Sequence, residues 1–368
     1  MASAQLWPPT SSQDAPQPAI TRKTMELRIS MKSVVVTGPD TVQMHDVETP
    51  HAGPADVVVA MRAVGICGSD VHYAHVGGYP PRMNATRLGH EGAGEVIEVG
   101  DQVTDVQIGD HVVINPMAAA DGIIGNGGAQ GELSEVILLT DAQAGKHFRV
   151  VPKDLPWDVA ALNEPMAVAY HGVNRSGAGA GAKAVVFGAG PVGLGAAIGL
   201  KSKGAAHVVV VDIAPNRLQK ALAVGADAVI DSSKEDVVAR LRELHGEEPG
   251  FIGAPPRPLT DVAIDAAGVP VVTHTALNAI RARGVLTVIA VHKQPVSIDF
   301  QELLVNEPDI RLSMGYPTEI FEVTDALIEH RDRYAQIISD RIPFEDALRA
   351  LDLASTPGAT DKVVVTFP

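Results

Sequence analysis

The stretch VVFGAGPVG, residues 185–193, restricts the possible folds more than any other part of this chain. It places Gly188, Gly190 and Gly193 directly after an apolar strand and at the start of a helix. In that context the first glycine allows a tight turn, the second lets backbone approach a pyrophosphate, and the third permits close helix–strand packing. The N–H groups and the positive dipole end of the helix then face the phosphates. The sequence therefore predicts a doubly wound parallel sheet that binds a dinucleotide.

The next predicted strand, VVVVD at 208–212, ends in an acid that bears on the kind of dinucleotide. Asp212 lies nineteen residues after Gly193. Its carboxylate can accept hydrogen bonds from a ribose 2′-OH and would repel a 2′-phosphate. Ile213 follows, where an enzyme that uses NADP often has a basic residue. We therefore predict NAD rather than NADP.

The surrounding region alternates apolar strands with helical stretches, as expected for a parallel sheet with right-handed crossovers. Strands are predicted at 183–187, 207–211, 227–230, 261–265 and 285–290, and helices at 191–203, 215–224, 234–244 and 271–282. A Pro- and Gly-rich loop at 246–259 interrupts the alternation. After about residue 310 the pattern becomes mixed, with predicted helices at 318–329 and 344–354 and a final strand at 362–367.

The first half of the chain has a different character. Its apolar runs are short, β-branched and separated by Gly and Pro, which predicts an antiparallel, barrel-like β domain. Candidate strands lie at 32–37, 42–47, 56–64, 92–99, 111–114, 132–139 and 148–151. Residues 1–30 are rich in Pro, Ser and Gln without periodicity and predict a disordered leader that lacks the pattern of a secretory signal.

Length and charge limit the classes of partner. A chain of 368 residues is long for one hydrophobic core, so two domains are expected. The formal net charge of −15 argues against nucleic acid and anionic membranes as partners. Apolar runs stay well short of the ~18 residues that a membrane span needs. One cysteine excludes an intramolecular disulfide and is typical of a reducing, cytoplasmic protein.

That cysteine, Cys67, lies in GICGSDVHY at 65–73, with Ser69, Asp70 and His72 close by. A thiol in such surroundings is a buried packing residue, a nucleophile or a metal ligand. Two further motifs supply possible co-ligands: LGHEGAGEVIEVG contains His90 and Glu91, and NEP contains Glu164. A thiolate, an imidazole and a carboxylate form a plausible zinc set. Three protein ligands with one open position describe a catalytic rather than a structural site.

With both motif sets placed, residues 32–368 resemble the zinc-dependent medium-chain dehydrogenases, and within them the sorbitol/xylitol (polyol) and 2,3-butanediol dehydrogenases. The segments that carry the resemblance are GICGSDVHY, LGHEGAGEVIEVG, NEPMAV, FGAGPVG, VVVVD and DKVVVTF. The resemblance implies a GroES-like β-barrel catalytic domain, formed by 31–165 and 311–368. A Rossmann domain at 166–310 would interrupt it, with the active site in the cleft between them.

The resemblance also implies roles for individual residues. Cys67 and His90 become zinc ligands, and Glu91 and Glu164 are both candidates for the third ligand. The site residues implied for proton relay and ligand support are Ser69, His72 and Asp70. Cofactor contacts are implied for Gly188, Gly190, Pro191, Val192, Gly193, Asp212, Arg217, Ala267, Ala290, Val291 and Lys362, the last as a basic contact to the pyrophosphate.

One departure from the family pattern is clear. Many relatives hold a second, structural zinc with four closely spaced cysteines, whereas this chain has a Gly- and Ala-rich loop at 115–131. We therefore predict one zinc ion per subunit. The roles of two side chains remain open. Tyr316 either lines a substrate cleft or simply packs, and His292 follows the strand expected beside the nicotinamide.

The resemblance implies an NAD-dependent zinc enzyme that interconverts a secondary alcohol, either a vicinal diol or a polyol, and its ketone. The family habit is a homodimer or homotetramer. Three alternatives remain open from the sequence: a threonine-type amino-alcohol dehydrogenase, a zinc-free quinone or enoyl reductase, and a non-catalytic NAD-binding protein. The sequence does not identify the alcohol.

Overall fold

The computed structural model describes residues 29–250, 254–356 and 358–368. Nearly all of the leader predicted at 1–30 lies outside these ranges, although its last residue, Ser30, already begins the first strand. No helix in the described part of the chain is long and apolar enough to cross a membrane.

Antiparallel strands dominate the first half of the chain, as predicted. They are β1 (Ser30–Gly38), β2 (Thr41–Glu48), β3 (Val57–Gly65), β4 (Thr86–Arg87), β5 (Glu91–Val99), β6 (His111–Ile114), β7 (Val136–Leu139) and β8 (Phe148–Val151). Two strands from the end of the chain, β17 (Asp340–Pro343) and β18 (Val363–Thr366), complete the larger sheet, whose order is β17-β18-β3-β5-β6-β8. In addition, β7 pairs with β3, while β2, β1 and β4 form a separate small sheet. The C-terminal tail thus returns to the N-terminal domain.

A second, six-stranded sheet occupies the middle of the chain, and its strands all run parallel. Its strands are β9 (Lys183–Phe187), β10 (His207–Asp212), β11 (Ala228–Asp231), β14 (Val262–Asp265), β15 (Val285–Val288) and β16 (Asp309–Leu312). The spatial order β11-β10-β9-β14-β15-β16 is the 3-2-1-4-5-6 order of dinucleotide-binding sheets. This order places the topological switch point between β9 and β14. The loop predicted at 246–259 contains a short ribbon, β12 (Glu247–Glu248) with β13 (Arg257–Pro258).

The helices lie on both faces of the parallel sheet and around the barrel strands. They are α1 (Gly68–Val76), α2 (Trp157–Ala160), α3 (Asn163–Ser176), α4 (Pro191–Ser202), α5 (Pro215–Ala223), α6 (Val237–His245), α7 (Pro270–Ala279), α8 (Phe300–Leu304), α9 (Glu319–Glu329), α10 (Arg331–Ala335) and α11 (Ala347–Ser355). Of these, α1, α2 and α11 pack around the barrel strands. Alternate strand residues face opposite layers: Val186 and Val210 pack on the side of α3 and α4, and Val185 and Val209 on the side of α6 and α7. Burial on both faces explains why these strands read as continuous apolar runs.

Two helices that matter for the site were not predicted, namely α1 and α3. The segment that forms α1 is short and mostly polar, so it carries little apolar periodicity. Local signals for both helices were nevertheless present. Asp70 bonds back to the Cys67 backbone at the start of α1, and α3 ends before Gly177, whose φ of 75° suits a left-handed C-cap.

Candidate active site

Cys67 lies where β3 gives way to α1. It is the N-cap residue of the helix, with an extended backbone at φ −96° and ψ 155°. The Cys67 N–H donates to Asp70 Oδ2 at 2.9 Å, which fixes the turn that presents the thiol. The thiol is free and partly exposed. The helix start therefore positions a potential metal ligand at the edge of the barrel domain.

His90 is buried beside this turn, between α1 and β5. Its Nε2 lies 3.2 Å from Ser69 Oγ, whereas its Nδ1 lies 3.6 Å from Asp70 Oδ1. Burial lowers the pKa of His90, but the charges of Asp70 and Cys67 outweigh burial and raise that pKa well above its usual value. Asp70 is fully buried and also accepts the Gly89 N–H at 3.0 Å. Asp70 thus faces the far nitrogen of the ring, the arrangement that orients a metal-bound imidazole.

Glu91 begins β5 directly opposite Gly65 of β3. A Cβ on Gly65 would lie 2.1 Å from Glu91 Oε2, so the missing side chain makes room for this carboxylate. Glu91 forms a buried ion pair with Lys362, whose Nζ also donates to the Ile66 carbonyl at 3.0 Å. Burial lowers the pKa of Lys362, but the charges of Glu91, Cys67 and Glu164, with the hydrogen bond to Glu91, together outweigh burial and raise it.

One potential ligand atom from each of Cys67, His90 and Glu91 lies within 4.8 Å of the others. Among the described residues, this is the group of acidic, imidazole and thiol side chains close enough to hold an ion. A thiolate, an imidazole and a carboxylate match the donor chemistry of zinc and leave a fourth tetrahedral position open. The residues present therefore fit a catalytic zinc ion.

Glu164, the second residue of α3, approaches the same region but is not a member of this compact group. Its carboxylate is hydrogen-bonded to Tyr316. Burial raises the pKa of Glu164 to about 7, and the charge of Glu91 adds to the rise. Burial, with the charge of Glu164, raises the pKa of the Tyr316 hydroxyl far above its usual value. Tyr316 is thus buried, and its hydroxyl is hydrogen-bonded to Glu164.

Sequence reasoning missed a third buried glutamate, Glu132, which precedes β7. Burial raises its pKa to about 8, with Glu164 and Glu91 adding to the rise and His90 opposing it. Glu132 was overlooked because its segment, 132–139, was predicted as one strand. The strand in fact begins only at Val136. The run reads ELSEVILL and contains two acids, and no local signal distinguishes buried Glu132 from partly exposed Glu135.

The glycine-rich turn between β9 and α4 has the predicted construction. Gly188 has a φ of 96°, a conformation that favours glycine. A Cβ on Gly193 would lie 1.8 Å from the Gly188 carbonyl oxygen, whereas a Cβ on Gly190 would meet no atom within 4 Å. Pro191 and Val192 form the first turn of α4. Gly193 therefore serves packing, while the space beside Gly190 is open to a ligand.

Asp212 lies at the end of β10, next to this turn. Its Oδ2 accepts the Ala189 N–H at 2.7 Å, and its Oδ1 accepts the N–H groups of Ile213 and Ala214 at 2.8 and 2.9 Å. Arg217 pairs with Asp361 at 2.8 Å. The carboxylate is thus held in place by main-chain donors alone.

The residues predicted beside the nicotinamide lie at the ends of β14 and β15. Asp265 is fully buried and accepts the Ala267 N–H at 3.0 Å. The Ala290 N–H donates to the Asp265 carbonyl at 3.1 Å, and Val291 is 79% exposed. His292 also bonds this acid, Nε2 to Oδ2 at 2.9 Å. One buried aspartate therefore organises both loops.

Two cavities connect these parts. A crevice of about 940 Å³ is lined by Gly188, Gly190 and Asp212, and a second cavity of about 310 Å³ is lined by Cys67 and Glu91. Other residues that line the second cavity are Pro191, Val192, Arg217 and Lys362. Arg217 lines both spaces. The glycine-rich turn and the ligand cluster therefore open into adjoining spaces. His72, in contrast, is exposed on α1.

Two family models match this chain. The alcohol dehydrogenase GroES-like domain covers residues 53–147, and the zinc-binding dehydrogenase domain covers 191–329. Sorbitol dehydrogenase of Bos taurus is 30% identical over 348 residues, which make up 90% of this chain and 95% of that protein. The (R,R)-butanediol dehydrogenase of Bacillus subtilis (strain 168) is 31% identical over 331 residues, 83% of this chain and 91% of that protein.

Solved structures show the same two-part fold. The crystal structure of 2R,3R-butanediol dehydrogenase from Bacillus subtilis matches with a TM-score of 0.78 at 28% identity. The match covers 92% of this chain and 99% of that one. The predicted combination of a GroES-like domain and a Rossmann domain is therefore confirmed. On these matches and the Cys67–His90–Glu91 cluster, the chain belongs to the zinc-dependent medium-chain dehydrogenases, in the group that contains the sorbitol and butanediol dehydrogenases.

Proposed function

We propose that this protein is a zinc- and NAD-dependent oxidoreductase that interconverts a secondary alcohol, either a vicinal diol or a polyol, and its ketone. The observation that carries the proposal is the cavity lined both by Cys67 and Glu91 and by Pro191 and Val192 at the start of α4. Hydride transfer requires a substrate held beside the cofactor, and this cavity joins a metal-ligand cluster to a dinucleotide-binding turn. The sorbitol and butanediol dehydrogenases among the relatives support the substrate class.

The metal proposal is one zinc ion per subunit, held by Cys67, His90 and Glu91. A bound zinc ion supplies Lewis-acid polarisation of the substrate oxygen. Glu91 is favoured over Glu164 as the third ligand because its carboxylate belongs to the compact group and that of Glu164 does not. Glu91→Gln is expected to lose most of its zinc, and Glu164→Gln to keep it. Metal analysis of both purified variants tests this, and full zinc retention in Glu91→Gln would refute it.

The proposal for the proton is a path along α1. Ser69 Oγ lies 3.2 Å from His90 Nε2, and His72 follows three residues later, on the same side of the helix and exposed. Ser69 would take the proton from the substrate hydroxyl and pass it towards His72 and solvent. Loss of such a relay costs about 10²- to 10⁴-fold in rate. Ser69→Ala should therefore lower kcat by that order with unchanged zinc content, and an unchanged kcat would exclude the path.

The proposal for the cofactor is NAD rather than NADP. Asp212 is fixed at the end of β10 and lines the larger crevice, where an ionised acid would repel a 2′-phosphate. Arg217, the basic residue nearby, is already paired with Asp361. Initial rates with NAD and NADP test this, and equal kcat/KM for the two cofactors would refute the assignment.

The decisive experiment for the overall function is a panel of butane-2,3-diol, sorbitol, xylitol, threonine and simple secondary alcohols, followed by absorbance of the reduced cofactor. Turnover of the diols or polyols above threonine is expected. Preference for threonine would favour the amino-alcohol alternative. Absence of both turnover and bound zinc would favour a reductase or a non-catalytic protein.

We also propose that the chain assembles as a homodimer or homotetramer through β16. This strand is the outer edge of the parallel sheet, with Leu312 70% exposed and Met314 beyond it 84% exposed. An edge strand with exposed apolar side chains, here Ile310 and Leu312, offers unpaired backbone groups to a second copy. Light scattering should show an oligomer that Leu312→Glu converts to a monomer. A cytoplasmic location is proposed because Cys67 must stay reduced to bind metal.

A further inference from the structure

The Glu132 side chain lies in the interior with few polar contacts among the described residues. It is 0% exposed, and neither carboxylate oxygen has a hydrogen-bond donor of ordinary geometry there, although the Gly92 N–H is near enough to lower the pKa of the acid. Its backbone, in contrast, is fixed, because the Glu132 N–H donates to the Gly89 carbonyl at 2.8 Å. A buried carboxylate without a donor costs free energy unless a ligand supplies one.

The carboxylate lies beside the metal-ligand cluster. A Cβ on Gly92 would lie 2.5 Å from Glu132 Oε2, so the acid occupies the space that a side chain at 92 would fill. Gly92 follows His90 and Glu91 directly in the sequence. The charges of His90, Glu164 and Glu91 all affect the pKa of Glu132, which is consistent with its position next to Gly92.

The other acids around this cluster have partners. Glu91 is paired with Lys362, Glu164 is bonded to Tyr316, and Asp70 accepts two backbone N–H groups. Among the acids around the ligand cluster, Glu132 is thus the one whose two oxygens lack a donor of ordinary geometry in the described residues. A molecule bound at this cluster is the available source of a further donor.

We propose that Glu132 is a specificity-determining residue that hydrogen-bonds the hydroxyl on the carbon next to the reacting carbon. The proposal rests on the proposed function and deepens it, because it explains why a diol or polyol would be preferred to a simple secondary alcohol. A hydroxyl can donate to a carboxylate oxygen, so it satisfies the group that the folded chain leaves without a donor. A site built around such a bond rejects an analogue that lacks the hydroxyl.

The test compares butane-2,3-diol with butan-2-ol in wild type, Glu132→Met, Glu132→Gln and Glu135→Gln. Met keeps the shape without the polar atoms, and Gln keeps a hydrogen-bonding group. Glu135 is the matched control, because it lies three residues along and its carboxylate accepts the Lys32 backbone N–H. We expect Glu132→Met to lower kcat/KM for the diol at least about tenfold, mainly through KM. Butan-2-ol should change by less than about threefold, and Glu132→Gln should fall between.

Two readouts separate this role from a structural one. Because Glu132 has no hydrogen-bond donor of ordinary geometry among the described residues, Glu132→Met should melt at the same temperature as wild type or higher, with unchanged zinc content. The rise in Tm that the diol produces in the wild-type complex with NADH should disappear in this variant. A lower Tm without ligand would indicate a structural residue, and lost zinc would indicate a metal ligand; either result overturns the proposal.

The remaining outcomes are equally decisive. Equal losses for diol and butan-2-ol would overturn the proposal while leaving the enzyme assignment intact. A larger loss with 3-aminobutan-2-ol than with the diol would assign Glu132 to an ammonium group instead. If wild type turns over no alcohol, the proposed function fails, and the inference fails with it.

Discussion

The two halves of the site satisfy their polar groups in opposite ways. In the cofactor half, the main chain does the work: Asp212 is held by three backbone N–H groups, and Gly188 and Gly193 shape the turn. In the metal half, ionisable side chains are buried together, and His90 Nδ1 and both oxygens of Glu132 have no hydrogen-bond partner among the described residues. The glycine-rich turn and Asp212 are therefore satisfied by the main chain, with His292 Nδ1 nearby as a buried atom that lacks a partner among the described residues. The metal half leaves more such atoms, and they lie beside the positions that its ligands would occupy.

The largest expected effect separates the two halves. Cys67→Ala removes the thiolate from the ligand set, so zinc should be lost and turnover should fall by at least about 10³-fold. The glycine-rich turn does not depend on this thiol, so NADH affinity should stay within about threefold of wild type. Metal analysis, steady-state rates and NADH fluorescence titration measure the three quantities. A similar loss of NADH affinity would contradict the independence of the two halves of the site.

Removal of Lys362 tests how strongly the buried Glu91 carboxylate depends on a neighbouring positive charge. Lys362→Met leaves the Glu91 carboxylate buried without its cation, which should lower the free energy of unfolding by about 3–5 kcal/mol in EDTA. Added zinc should reduce the difference in unfolding free energy between wild type and the variant, because the ion supplies positive charge to the same carboxylate. Urea unfolding with EDTA and with zinc measures both values. The double variant Glu91→Gln/Lys362→Met is the control and should recover part of the loss in EDTA.

Two substitutions in the glycine-rich turn test the separate roles of Gly193 in packing and Gly190 in cofactor binding. Gly193→Ala places a methyl group against the Gly188 carbonyl and should cost about 1–3 kcal/mol of stability. Gly190→Ala meets open space, so its stability should change by less than about 1 kcal/mol, while KM for NAD rises because the methyl group blocks the approach of phosphates. Thermal unfolding and cofactor kinetics measure the pair. The reverse pattern would contradict the assignment of the two glycines.

The smallest expected effect is a pH dependence in the domain of the parallel sheet, at the edge opposite the cofactor turn, where His245 contacts His207 at the start of β10. Burial, with the charges of His207 and Lys183, lowers the pKa of His245 from 6.5 to about 4. Between these values the unfolded chain binds a proton that the folded protein does not, so stability falls as pH decreases from about 6.5 to about 4. A loss on the order of 2 kcal/mol is expected. Urea unfolding in EDTA at several pH values measures it, and His245→Gln should flatten the slope.

Local motifs made one half of the site more predictable than the other. The turn at 185–193 is contiguous in sequence, and its glycines have local geometric reasons that a sequence can reveal. The metal half draws on residues from distant segments, so Glu132 and the bond between Glu164 and Tyr316 emerge only in the folded chain. Lys362 illustrates the difference: the resemblance implied a pyrophosphate contact, and the structure places its amine on Glu91.

Helix α3 links the two halves mechanically. It is about 21 Å long at 1.5 Å per residue, and it carries Glu164 at the end that faces the ligand cluster. Further along, a Cβ on Gly172 would lie 2.0 Å from Ile289 Cδ1, so the helix is seated tightly against the end of β15. The helix is therefore held tightly against the parallel sheet. The same helix also contacts β5 of the barrel domain. A substitution that shifted α3 on the parallel sheet would therefore change the distance between Glu164 and the Cys67 and His90 side chains.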